Sequence, residues 1–170
     1  MEATLEKKKA KDECCPKFHP SKWDNKTFIW EQKLFIKESI PELFHIPFPP
    51  MIGKKVTKMM KLAEAAGKLS GDKAQSLLLF MDPHPFKAEI YLSVTGYVPD
   101  ANNTALNGTF MAKVFDGDFK DIPKFIKQMD KYVGDQNKKA KNYYVHYAYC
   151  PRCAKQEKHN YMVFFAEVEP

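Results

Sequence analysis

Arginine is almost missing from this chain: of 27 basic side chains, Arg152 alone is a guanidinium. Proteins that read nucleic acid spend arginine on phosphates and base edges, so the net charge of +6 reads as a solvated lysine surface and not as a dedicated groove. The lysines cluster at Lys7 to Lys11 and Lys138 to Lys141, in segments that read as a tail and a turn. Also lacking is any run of about 18 apolar residues, which excludes a membrane-spanning helix and leads us to expect a soluble, cytoplasmic protein. No nucleophile elbow, Ser-His-Asp spacing, P-loop or dinucleotide fingerprint occurs. The residues ahead of the first predicted strand are too few and too polar for a helix-turn-helix. Neither a specific nucleic acid nor a membrane is an expected partner.

Cysteine is scarce too, with four in 170 residues, and a chain that is 44% hydrophobic buries a core without disulfide staples. In a reducing compartment such thiols more often bind metal or do catalysis. Cys150 and Cys153 form a Cys-Pro-Arg-Cys corner in "AYCPRCAKQEKHN". Thioredoxin-like redox work needs that pair at a helix N-terminus. Only "AKQEKH" separates Cys153 from the next predicted strand, so no helix is expected and a zinc knuckle is the preferred reading. Cys14 and Cys15 in "ECCPKFHP" are the other candidate ligands. Pro16 favours an extended Cys15, and neighbouring side chains then diverge, so His19 is the substitute for whichever cysteine points away. The opposing reading is a set of inert, buried thiols.

The remaining chain is patterned. Residues 1–26 carry no periodicity and read as a flexible tail and a Cys-containing arm, ahead of one domain over 27–170. "TFIWEQKLFIKESIPELFHIPF" is extended, with an interruption expected near Pro41. "KKVTKMMKLAEAAG" places Val56, Met59, Met60 and Ala63 at helical spacing before Gly67. "AQSLLLFMDP" and "KAEIYLSV" read as a strand pair, "TFMAKVF" as a further strand, and "DGDFKDIPKFIKQMDKYVG" as a helix with Asp121 at its N-cap. "NYYVHYAYCP" and "NYMVFFAEV" complete a second strand pair. Strand, helix, strand, strand thus occurs twice, over about 27–98 and 105–168, with Pro83 and Pro151 in matching turns. The expected class is α+β: duplicated strand-helix-strand-strand units in an antiparallel sheet, helices on one face and a ligand cleft on the other.

That duplication, with "LLLFMDP", "AEIYLSV" and "GTFMAKVFDGDFKDIPKFIKQM", resembles the GyrI-like small-molecule-binding domains. In "GTFMAKVFDGDF" the resemblance places one Gly before a strand and a second, with an aromatic, ahead of the helix. "ECCPKFHPSKWD", "ELFHIPF" and "YCPRCAK" are similar to a group of stand-alone members commonly labelled hydrolases. The resemblance implies a small-molecule partner, either hydrolysed as an electrophilic xenobiotic or bound as a hydrophobic or cationic aromatic ligand. Where the family has a Glu-hydrophobic-Tyr strand, this chain has Val145-His146-Tyr147.

Strict alternation sorts the candidates onto faces. With Ile90, Leu92 and Val94 toward the helices, Glu89, Tyr91 and Ser93 face the other way, as Tyr161, Val163, Phe165 and Glu167 oppose Met162, Phe164, Ala166 and Val168. Glu89, Glu167 and His146 are the candidate catalytic groups, and Tyr91, Trp30, His45, Tyr147 and Phe165 the candidate ligand contacts. A carboxylate among rings is poorly solvated, so its pKa is expected to rise. Trp23 and Trp30 read as a lid over the cleft or as anchors of the arm. An enzyme, a ligand carrier and a zinc-stabilised interaction module all remain open on this reading, with zinc as the expected cofactor.

Overall fold

The computed structural model describes residues 15–44, 46–47, 49–84 and 86–170. The expected tail over residues 1–14, and with it Cys14, lies outside the described residues, as does His45. The chain runs β1 (Lys26–Leu43), β2 (Ile46–Pro47), α1 (Pro49–Ala65), β3 (Leu78–His84), β4 (Lys87–Ser93), β5 (Asn103–Asp116), α2 (Ile122–Asp135), β6 (Ala140–Tyr147), α3 (Pro151–Glu157) and β7 (Tyr161–Val168).

Every strand pairing is antiparallel, in the order β2-β1-β4-β3-β6-β7-β5, and β5 pairs back onto β1. The sheet therefore closes into a six-stranded barrel with β2 appended to β1. Each half contributes the same triplet, β1-β4-β3 and β5-β7-β6, so the strand-helix-strand-strand duplication is an approximate two-fold about the barrel. The two seams differ in strength. β1 and β5 pair along most of their length, whereas β3 and β6 pair only at Leu79 with His146 and Phe80 with Val145.

Period-two alternation divides side chains between the barrel interior and the helix-covered outside. On the outside, Ile90 and Leu92 pack with Met59 and Ala63 of α1, while Met162, Phe164 and Ala166 pack with Phe125, Met129 and Val133 of α2. The interior is aromatic, holding Trp30, Phe35, Tyr91, Phe110, Tyr144 and Phe165. Within β1 the parity reverses: Phe28 and Trp30 point inward, then Phe35 does, because the register slips between Trp30 and Lys33. Gln32 takes a left-handed φ of 51°, and its amide donates to Asn107 Oδ1 at 2.6 Å, the geometry of a β-bulge.

Several sequence expectations are corrected. β1 is not interrupted at Pro41. Glu42 donates its amide to Phe86 O across the β4 side, so the imino nitrogen of Pro41 faces the opposite edge, where β5 pairing has already ended at Ile36. Pro83 and Pro151 do not occupy matching turns: the first lies inside β3, and the second is the first residue of a helix. That helix, α3, fills the stretch where none was expected. Cys150 is its extended N-cap, Pro151 presets its first turn, and Lys158 ends it in the left-handed region at φ 58°. Gly108 does not precede a strand but sits inside β5 opposite Trp30, at φ 140°.

Candidate functional site

One end of the barrel interior carries the carboxylates. The Tyr91 hydroxyl donates to Glu89 Oε2 at 2.6 Å, and Lys37 and Lys87 place their ammoniums 3.1 and 3.5 Å from Glu89 Oε1. Lys37 also lies over the Tyr91 ring at 5.5 Å. Three strands away, across the barrel, Glu167 Oε2 accepts from the Asn142 side-chain amide at 2.9 Å. Among the described residues Glu167 has no ion pair within 4.0 Å. Burial and both carboxylates push the Tyr91 phenol far up, and Tyr144 rises to about 12 from burial and then from Glu167 and Glu89. The two negative groups thus converge on one pair of tyrosines, whose rings meet edge-on at 5.7 Å.

The expected rise in the Glu89 pKa is not what this environment produces. Burial pushes the carboxyl up, but the Tyr91 hydroxyl and the Lys37 and Lys87 ammoniums together outweigh it and hold the group below its ordinary range. Alternation alone could not supply Lys37, because the bulge at Gln32 reverses the inward parity of β1. Tyr144 and Asn142 were legible, since they share the face of His146 in "NYYVHY".

The other candidates fall in different places. Trp30 and Phe165 lie in the interior with ring centroids 5.3 Å apart. His146 faces the same side nearer the opposite end, its Nδ1 3.2 Å from both the amide and the carbonyl of Leu78. Tyr147 is on the outside of the barrel, packed against Phe80 and Phe119 and away from the carboxylates.

The far end of the barrel is covered by the arm, residues 15–25. Trp23 packs on Phe28 at 5.5 Å and edge-on to Phe165 at 6.0 Å, while Asp24 accepts from the Val114 amide at 3.0 Å. Two cavities of about 380 and 280 Å³ flank the indole, both lined by Trp23, Gln75 and Leu77.

At the start of this arm Cys15 meets Cys150 and Cys153, the three sulfurs lying within 4.8 Å of one another. The α3 helix is what brings the last two together, because N-cap and third helical position share one face. The Cys150 amide donates to Cys15 Sγ at 3.4 Å, and the Phe18 amide to the Tyr149 hydroxyl at 2.9 Å. The cluster could hold a metal ion. His19 does not join it among the described residues.

Comparison with known proteins places this geometry in context. The C-terminal domain of EcmrR, 9% identical, superposes with a TM-score of 0.67 over 86% of this chain and 98% of that one. A hydrolase from Listeria innocua, 12% identical, gives 0.60 over 96% and 98%. SAV2435 bound to tetraphenylphosphonium, 15% identical, gives 0.52 over 85% and 93%. Comparison with curated proteins finds no match. At these identities the likeness is one of fold, the GyrI-like fold of the small-molecule-binding domains. The family described as bacterial hydrolase matches residues 5–168, and the chain, duplicated barrel and all, belongs to that family.

Proposed function

We propose that the protein binds a hydrophobic aromatic cation inside the barrel, with Glu167 as its counter-charge. The observation that carries this reading is a buried aromatic interior ending on two carboxylates, of which Glu89 already has two lysines and Glu167, among the described residues, has an amide and no ion pair within 4.0 Å. Glu89 then serves as a fixed acceptor that orients Tyr91. A flat cation gains roughly 0.5–2 kcal/mol per ring face, more where water is excluded. SAV2435, which shares the fold, is bound to tetraphenylphosphonium, a tetrahedral cation that presents four phenyl rings.

The test is a tryptophan-fluorescence titration with tetraphenylphosphonium and with neutral triphenylphosphine oxide. Glu167→Gln should weaken the cation about tenfold, the equivalent of about 1.4 kcal/mol, and leave the neutral compound unchanged. Equal loss for both would mean a packing defect and would reject the reading.

Hydrolysis of an electrophilic ligand is the second reading, favoured by the family's description. A carboxylate held low in pKa is a weak general base, so chemistry at Glu89 would depend on positioning more than on basicity. Turnover abolished by Glu89→Gln would establish catalysis, whereas unchanged substrate after long incubation would leave a carrier.

We further infer that the cysteine cluster holds zinc. Three soft thiol donors suit that ion, whose bonds of about 2.3 Å in tetrahedral array place sulfurs about 3.8 Å apart, within the spacing found. Cobalt substitution should give thiolate charge-transfer bands that Cys153→Ser removes. Their absence from the wild-type protein would reject the site.

A further inference from the structure

We propose that the smaller cavity beside Trp23 is a second ligand site, opposite in preference to the barrel interior, which takes a flat aromatic carboxylate. Such a site is independent of the cation reading of the barrel.

The cavity encloses about 280 Å³, and none of the side chains that line it is acidic. Lys22 and Gln75 are exposed and form its mouth, while Trp30 and Leu77, 9% and 2% exposed, form its floor. Between them stand the rings of Trp23 and Phe28, with centroids 5.5 Å apart. Three aromatic side chains and a leucine suit a ring, and the ammoniums of Lys22 and Lys33 with the Gln75 carboxamide suit an anion. A volume just under the range of about 300–1,000 Å³ usual for drug-sized ligands fits a molecule of one or two rings.

Lys33 sets the sign. It follows the bulge at Gln32, half-buried, with its ammonium 5.6 Å from the centre of the Trp30 ring. Among the described residues no carboxylate lies within 4.0 Å of it, and burial alone holds it below the usual lysine range. A cation desolvated without a counter-charge is stabilised when an anion arrives. The Trp30 indole N–H likewise has no acceptor among the described residues. Acidic side chains nearby do not supply one: those of the arm and of the turn ahead of β3 are Asp24 and Asp72, which accept from the amides of Val114 and Ala74 at 3.0 and 2.9 Å. On the other side of the indole, the larger cavity adds Lys17 and Lys73 to the positive rim.

The wall that the arm supplies is held from several sides. The Phe18 amide donates to the Tyr149 hydroxyl, the Phe18 ring packs on Tyr161 at 5.2 Å, Cys15 meets the corner thiols, and Trp23 stands edge-on to Phe165. The site is therefore preformed, and little of the binding free energy goes into ordering it.

Equilibrium dialysis of the full chain compares naphthoate with neutral naphthylmethanol, which carries the same two rings. Wild type should bind the acid more tightly. Lys22→Met and Lys33→Met keep the aliphatic stems and remove the charge, so each should weaken naphthoate about tenfold and leave the alcohol unchanged. Lys127→Met, on α2 and outside both cavities, removes the same charge and should change neither. Trp23→Ala should weaken both compounds together. Naphthoate bound no more tightly than the alcohol, or held equally by wild type, Lys22→Met and Lys33→Met, would overturn the site. Tighter naphthoate binding by Glu167→Gln would overturn it too, by putting the anion beside the barrel carboxylates.

Discussion

His146 offers the sharpest test of how the two halves are joined. β3 and β6 share only two register positions, and the imidazole reinforces that seam by meeting the Leu78 backbone with Nδ1. The nitrogen can accept the Leu78 amide only while unprotonated. Burial pushes the group down from 6.5 to about 4, against a smaller upward effect of the Leu78 carbonyl. The sign follows from proton linkage. Because the folded pKa lies below the unfolded one, the unfolded chain binds the proton more readily, and stability falls as pH drops from about 6.5 towards about 4. A shift of that size corresponds to about 3 kcal/mol at full extent, and to about 2 kcal/mol between pH 7 and pH 5.

The assay is urea denaturation followed by circular dichroism at pH 7 and pH 5, on wild type and on His146→Asn. Asparagine sets its amide oxygen near the position of Nδ1, so the acceptor is kept and the titration is removed. Both proteins are treated with chelator, which makes protonation of the cysteine thiols common to the two. Wild type should lose about 2 kcal/mol more than the variant on going to pH 5. An equal loss in both would refute the assignment of acid lability to this seam.

The remaining predictions concern the carboxylate end and the outer core. Glu89→Leu removes the acceptor of a buried phenol and should cost about 3 kcal/mol, whereas Glu89→Leu made on Tyr91→Phe should cost less by roughly 1–3 kcal/mol; additivity in that denaturation cycle would show that the pair is uncoupled. Since the Glu89 carboxyl is held low, its contribution is present above the ordinary carboxylate pKa and lost as pH falls through the lowered one, so Glu89→Gln should flatten only the most acidic part of the stability profile. Gly117→Ala should destabilise by about 1–3 kcal/mol, because its Cβ would sit 2.7 Å from the Phe125 ring, which is stacked on Phe115 at 4.6 Å and cannot retreat; a melting temperature unchanged by this variant would contradict the packing.

The parts of the fold that alternate were legible, and the parts that break alternation were not. In "KAEIYLSV" and "NYMVFFAEV" no residue leaves the period of two, so reading along the sequence separates the Ile90 face from the Tyr91 face as the barrel does. β1 defeats the same reasoning. Phe28, Trp30 and Phe35 do not share a parity, and only the bulge at Gln32 lets all three point inward and carries Lys37 with them. A raised pKa was expected from burial among rings and a lowered one is found, because the Tyr91 hydroxyl and Lys87 on the same strand face, together with the Lys37 that the bulge turns inward, outweigh burial. Closure of the barrel was likewise out of reach, because β1 and β5 are the first strands of their respective halves and their pairing is set by the geometry of the whole sheet.

The cysteines show the reverse, a signal present and misjudged. "PRCAKQE" begins with a proline suited to a first helical turn and continues with good helix formers, which was enough for a short helix despite the nearness of the next strand. The consequence reaches beyond local structure. In an open knuckle Cys150 and Cys153 could face in any direction, but at the N-cap and third position of α3 they are turned to one side, where the arm delivers Cys15. The same three-residue spacing that would suit redox chemistry thus gathers thiols from two separate segments, and gathering thiols across segments is what a cross-linking metal requires.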